Sequence, residues 1–173
     1  MIKELKTQSE IRITMVCMGN ICRSPMAAAV LSSRSASWDT PKIFVDSSGT
    51  SAWHVGQGPH PTSQLVWENA GYEYTHKAQQ FQASDFYTTD LILVMDSSNF
   101  NNVIELANSD GSRRKVFYLR SFDKSLELIE PNSAEYSRLE VPDPYNQSVE
   151  AYEVTLAMIE RAVDGLLQEL KSQ

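Results

Sequence analysis

Ile11-Arg12-Ile13-Thr14-Met15-Val16-Cys17-Met18-Gly19-Asn20-Ile21-Cys22-Arg23-Ser24-Pro25 is the stretch on which the architecture turns. Ile11 to Val16 is an apolar, β-leaning run and reads as a buried strand. Ser24 followed by Pro25 reads as a helix N-cap with proline at the first helical position. The alanine-rich run Met26 to Leu31 continues that helix with strong helix formers. A short loop from Cys17 to Arg23 therefore joins the end of a strand to the start of a helix. Backbone N–H groups converge at such a junction, and the helix dipole favours an anion there. Cysteine opens the loop and arginine closes it. Inside, Gly19 lets the backbone turn its N–H groups inward, and Asn20 is among the few non-glycine residues that tolerate left-handed angles.

Outward from this loop, strands and helices alternate. The first helix is expected to run to about Ser37, and Asp39-Thr-Pro41 punctuates. Ile43 to Val45 reads as a short strand that gives way to a loop at Asp46-Ser-Ser-Gly49. Ser51 to Pro61 carries Trp53, His54, Gly56, Gly58 and two prolines, the composition of a structured loop. Pro61-Thr62 opens a helix through about Ala70, closed by Gly71. Asp90 to Met95 is a second buried strand, and Asp96-Ser-Ser caps a helix from about Asn99 to Ala107. Lys115 to Leu119 is a further strand, and Ser121 to Pro144 is irregular. In the last helix Val149, Tyr152, Leu156, Ile159, Val163, Leu166 and Leu170 recur at three- and four-residue steps, one apolar stripe for packing on a sheet. The alternation implies an α/β fold, a parallel sheet flanked by helices. In such sheets ligands sit beyond the carboxyl ends of the strands, where the Cys17 loop, the Trp53 loop and Asp96 would lie.

A length of 173 residues suits one catalytic domain spanning 1–173, with residues 1–10 a polar extension. Those first residues carry no apolar core of a secretory signal, and no run is apolar enough to span a bilayer. The only two cysteines, Cys17 and Cys22, both lie in the loop, which favours a reducing cytoplasm over a disulfide scaffold. A net charge of −7 argues against binding to nucleic acid, which needs a basic face to displace counterions. An anionic substrate remains compatible with it, because a site can be locally positive. No membrane partner is implied.

The loop specifies covalent catalysis on a phosphoryl group. A cysteine is nucleophilic as thiolate, which a helix N-terminus and a nearby cation favour. Cys17 has both, and the Ser24 hydroxyl adds a hydrogen bond to the sulfur. The planar fork of Arg23 suits bidentate contact with phosphate oxygens. No metal or other cofactor is called for. The leaving oxygen needs an acid from elsewhere, and Asp143, held in Asp143-Pro144-Tyr145, is the candidate. The acid of the first step becomes the base for water in the second.

Blander readings stay open for several positions. Asp-Pro is a common turn dipeptide. Cys22 is equally a core residue or, beside Cys17, a partner in a reversible disulfide. Trp53 and Tyr145 are candidate core aromatics, Asp96 a plain N-cap. His54, His60 and His76 lack metal-ligand spacing and read as structural or surface residues.

From Cys17 to Pro25 the chain resembles the low-molecular-weight protein tyrosine phosphatase family, whose signature is a C-x5-R-S loop holding Gly-Asn and a second cysteine. The likeness continues through Ser51-Ala-Trp53-His-Val-Gly56, Thr75-His76-Lys-Ala78, Val94-Met-Asp96 and Asp143-Pro144-Tyr145. It implies a three-layer fold with a four-stranded parallel sheet and a two-step phosphocysteine mechanism. Cys17 would be the nucleophile, Arg23 the phosphate ligand and Asp143 the general acid. The backbone from Met18 through Gly19, Asn20, Ile21 and Cys22 to Ser24 would also hold phosphate. Asn20 would join a network with Ser47 and His76, and Ile21, Trp53 and Tyr145 would wall an aromatic ring. The implied partners are tyrosine-phosphorylated proteins, with inorganic phosphate or other oxyanions as product or inhibitor. Three positions depart from the family's pattern. Tyr145 is followed by Asn146 rather than a second aromatic, His60-Pro61-Thr62 replaces Asp-Pro-Arg, and Gln79 replaces an arginine. Three rival readings are a phosphoarginine phosphatase, an arsenate reductase and a non-catalytic phosphate-binding or redox module. The first resembles this loop but tends to have threonine where Ile21 stands. The second resembles a cysteine relay that needs further downstream cysteines. The third is opposed by the complete set of Cys17, Arg23, Ser24 and Asp143.

Overall fold

A computed structural model describes residues 1–130 and 132–171. Strand β1 runs over Glu10–Cys17, β2 over Lys42–Gly49, β3 over Leu91–Val94 and β4 over Val116–Tyr118. All pair in parallel in the order β2-β1-β3-β4. The order reverses between β1 and β3, so the carboxyl end of β1 opens onto the crevice where such sheets bind ligands. Helix α1 covers Ile2–Leu5, α2 Arg23–Ser35, α3 Pro61–Asn69, α4 Asp85–Thr88, α5 Ser97–Leu106, α6 Asp110–Arg113 and α7 Val149–Lys171.

Side chains alternate along the strands, and the alternation builds two cores. Ile11, Ile13, Met15 and Cys17, with Leu91 and Leu93, face Met26 to Leu31 of α2 and Tyr152, Ile159 and Val163 of α7. Val16, Ile92, Val94, Val116 and Tyr118 face Val103 of α5 and Phe81 and Phe86. The sheet is thus the middle of three layers, which is why β3 is an unbroken apolar run and β1 is buried throughout from Ile13 to Cys17. Alanines 27 to 29 are fully buried because α2 is covered by β1, β2, α3 and α7 together.

Four sequence expectations change. Ser24 is not the cap of α2: the helix starts at Arg23 with Cys22 before it, no side chain caps it, and the Ser24 hydroxyl is turned to the Cys17 sulfur instead. Pro25 costs nothing there, since the first turn has no intrahelical acceptor for its N–H. Asp46 to Gly49 are strand rather than loop, because β2 pairs β1 along its whole length, with Ser47 opposite Met15 and Gly49 opposite Cys17. The ladder overrides the turn-like composition. Val149 of the apolar stripe is exposed at the start of α7, while the other six stripe residues are buried. Within the N-terminal ten residues α1 forms, and its Leu5 is buried in the larger core. Gly71 does close α3, at φ 90°.

Candidate functional site

Cys17 is the last residue of β1 and is 3 % exposed. Its Sγ lies 3.0 Å from Ser24 Oγ and receives the Asn20 N–H at 3.3 Å. The Asn20 side chain stands behind Ser24. Its Oδ1 accepts the Gln79 backbone N–H at 2.9 Å, which fixes which end of the amide is oxygen. Nδ2 then donates to Ser24 Oγ and to Ser47 Oγ, each at 2.9 Å. The Ser24 hydroxyl hydrogen has two acceptors in reach, the Cys17 sulfur at 3.0 Å and the Ser48 carbonyl at 3.5 Å. The Asn20 N–H and the Ser24 hydroxyl thus both lie against the Cys17 sulfur.

Asn20 reaches this position in the left-handed region, at φ 56°. Its carbonyl accepts from His76 Nε2 at 2.6 Å. Burial holds His76 below the ordinary imidazole range, so the ring is a neutral Nε2–H donor. Gln79 also donates from Nε2 to Asp46 Oδ2 and to the Ser47 carbonyl. A neutral amide here takes the place of the arginine expected from the family pattern. Gly19 is not left-handed. A side chain there would meet His54 Cδ2 at 3.0 Å, so its requirement is room for the His54 ring. Gly49 supplies the corresponding floor: a Cβ would stand 2.7 Å from the Met18 carbonyl oxygen.

Arg23, the first residue of α2, is 2 % exposed. Its Nη1 donates to Asp96 Oδ2 at 2.7 Å and to the Val141 carbonyl at 3.0 Å, while Nη2 lies 3.5 Å from Asp143 Oδ2. Burial opposes the guanidinium charge, but Cys17, Asp143 and Asp96 outweigh it and hold Arg23 above its ordinary value. Asp96 is both cap and brace, since Oδ1 accepts the Asn99 N–H of α5 at 2.8 Å. Asp143 is half-exposed, and its Oδ1 accepts the Tyr145 N–H at 3.2 Å in a tight turn.

These groups surround an open cleft of about 270 Å³ lined by Cys17, Ile21, Arg23, Trp53, His54, Asp143 and Tyr145, among others. Trp53 and Tyr145 are 75 % and 47 % exposed, so neither is a core aromatic. Cys22 borders the cleft but is buried, and burial pushes its thiol up to about 12. Its Sγ lies 3.7 Å from Tyr152 Oη. His60 caps α3, its Nδ1 accepting the Thr62 N–H. The structure thus gathers Cys17, Asn20, Cys22, Arg23, Ser24, Asp143, the cleft walls, Ser47 and His76 around one loop. Sequence reasoning missed Asp96 as the partner of Arg23, the Gly49 floor, and the contacts of His60 and Tyr152. The one available signal for Asp96 was its place at the carboxyl end of the strand next to β1.

The described chain holds no helix long and apolar enough to cross a membrane. The sequence profile of the low molecular weight phosphotyrosine protein phosphatases matches residues 12–173. A low molecular weight protein-tyrosine-phosphatase of Streptomyces coelicolor is 37 % identical over 163 residues, 94 % of each chain. Among solved structures, a protein tyrosine phosphatase of Entamoeba histolytica superposes with a TM-score of 0.81 at 28 % identity, covering 93 % of this chain and 97 % of that one. A drosophila arginine phosphatase is similar with a TM-score of 0.81 at 27 % identity, covering 94 % and 99 %.

Proposed function

The chain belongs to the low molecular weight phosphotyrosine protein phosphatase family, and on that premise we propose that it hydrolyses phosphotyrosine in proteins, and small aryl phosphates, through a phosphocysteine on Cys17. One observation carries this reading. The Cys17 sulfur, with the Asn20 N–H and the Ser24 hydroxyl against it, shares a cleft with a buried arginine, a half-exposed carboxylate and two exposed aromatic rings.

In the first step the Cys17 thiolate attacks phosphorus. The S–P bond forms as the bond to the phenolic oxygen breaks, and Asp143 delivers its proton to that oxygen. In the second step Asp143, now a carboxylate, takes a proton from water. The water oxygen attacks phosphorus, the S–P bond breaks, and phosphate and the thiolate are released. Arg23 and the loop amides from Met18 to Ser24 neutralise the equatorial oxygens in both steps, in a site that needs no reorganisation. Ile21, Trp53 and Tyr145 grip the ring of the substrate. The paired thiols suit a reducing cytoplasm.

The arginine phosphatase neighbour superposes as well as the tyrosine phosphatase does, so backbone similarity does not choose between the substrates. Ile21 in the cleft and the two aromatic walls favour a planar ring. The deciding experiment is a rate comparison on phosphotyrosine, phosphoarginine, phosphoserine and arsenate. Phosphotyrosine is expected to be fastest, and a faster rate on phosphoarginine overturns the substrate assignment. Cys17→Ser is expected to abolish turnover while inorganic phosphate still binds, and ordinary turnover by that variant removes the mechanism. Asp143→Asn should slow phosphotyrosine far more than an ester with a good leaving group, and equal losses dismiss Asp143 as the acid.

A further inference from the structure

His60 takes no part in the steps above, yet it touches three of the elements that build the cleft. Its backbone N–H donates to the Ile21 carbonyl at 2.8 Å. Its ring meets Tyr145 edge-on, with centroids 5.7 Å apart at 79°, and stacks on Tyr152 at 5.5 Å and 21°. Nδ1 accepts the Thr62 N–H at 3.2 Å and lies 3.3 Å from Tyr152 Oη.

A backbone N–H can only donate, so Nδ1 is bare and the ring carries its hydrogen on Nε2. The Tyr152 hydroxyl lies between Nδ1, at 3.3 Å, and the Cys22 sulfur, at 3.7 Å, within hydrogen-bond reach of both. His60 is thereby fixed from the loop side, through Ile21 and Cys22, and from the helix side, through Thr62 and Tyr152. The backbone of Tyr145 is set by the Asp143 turn, and Asn146 follows it at φ 59°. The Tyr145 ring itself is met by His60, the ring pair described above.

We propose that His60 is a specificity-determining positioning residue that holds the Tyr145 wall in register with the phosphate loop, so that the cleft selects phosphate groups carried on an aromatic ring. The proposal rests on the phosphatase reading given above. An edge-on ring pair of this kind is worth about threefold to tenfold in an equilibrium constant.

His60→Asn separates the ring from the cap. Asparagine caps helices as well as any residue, so α3 keeps its N-terminal acceptor while the ring is lost. In the full-length chain, phenylphosphonate should bind about threefold to tenfold more weakly to His60→Asn, and inorganic phosphate should bind unchanged. KM for an aryl phosphate should rise by the same factor, with kcat within about twofold of the parent. His60→Phe restores a ring without the Nδ1 acceptor, and should recover phenylphosphonate affinity while melting lower. Tyr145→Ala added to His60→Asn should cost little more than Tyr145→Ala alone. Equal weakening of phosphate and phenylphosphonate, or fully additive losses in the double variant, overturns the proposal. Failure of the parent chain to hydrolyse aryl phosphates strikes the phosphatase reading instead, and the two binding constants still measure the wall.

Discussion

Asp96→Asn tests whether one carboxylate really serves two donors. In the parent chain Oδ1 takes the Asn99 N–H at 2.8 Å and Oδ2 takes Arg23 Nη1 at 2.7 Å. An amide has one acceptor oxygen, so it can keep the cap of α5 or the arginine, but not both, and its own N–H groups then face a donor. Losing the charge-assisted bond to a guanidinium that is 3 % exposed should cost about 2 kcal/mol. For a chain of this size that is a fall of roughly 4–8 °C in Tm. The Val141 carbonyl and Asp143 stay beside Arg23, which keeps the loss below that of a wholly stranded charge. Phosphate should discriminate further. With one neighbouring anion neutralised, Arg23 has more to gain from an anionic ligand, so saturating phosphate should raise the Tm of the variant by more than it raises the parent's. Thermal and urea unfolding with and without phosphate measure both effects. A parental Tm, or a phosphate increment no larger than the parent's, refutes the brace.

Gly165→Ala places a Cβ 1.8 Å from the Phe122 carbonyl oxygen, backbone against backbone. The helix must move away, at a cost of about 3 kcal/mol or more and loss of soluble protein; an unchanged urea midpoint would show that α7 is not seated so closely. His76 is harder to protonate folded than unfolded, because burial lowers it. The unfolded chain then binds the extra proton, so stability is full above the unfolded value of about 6.5 and declines as pH falls through it. His76→Gln should flatten that decline, and an identical profile in the variant dismisses His76 as its source. Dilute peroxide should convert Cys17 to a sulfenic acid, from which the Cys22 thiolate displaces hydroxide to form a disulfide. Because the Cys22 thiol sits at about 12, closure should speed up as pH rises. Mass spectrometry that finds no Cys17–Cys22 link in the inactivated protein removes Cys22 from this chemistry.

The phosphate loop and the sheet beneath it were legible because their causes are local. A strand, a turn with asparagine in the left-handed region and a helix start are set by consecutive residues. The carboxyl-end rule then placed the Trp53 loop and Asp96 beside them. What stayed illegible depends on residues brought together from afar. Asp96 reads as a cap because aspartate is a favoured N-cap at the end of a strand with a helix to follow, and nothing near it announces Arg23. Ser24 reads as a cap for the same reason, although the folded chain gives its hydroxyl to a sulfur. Asp46 to Gly49 look like a turn until β1 supplies a ladder for them. Gly165 lies inside a strongly periodic helix, where only the opposing Phe122 carbonyl explains the missing side chain.

The hydrogen bonds of Asn20 carry a liability that concerns the age of the protein rather than its turnover. Every polar atom of this residue is committed, the amide nitrogen to two hydroxyls and the amide oxygen to one N–H. Slow deamidation would replace that nitrogen by oxygen, a change of one heavy atom and one charge. The bond from Gln79 would survive, even strengthen. The serines would have to turn their hydrogens to the new carboxylate, and Ser24 would then have none to give the Cys17 sulfur. An anion would then stand where a thiolate has to form, and a chain still correctly folded would fall silent through a single hydrolysed amide.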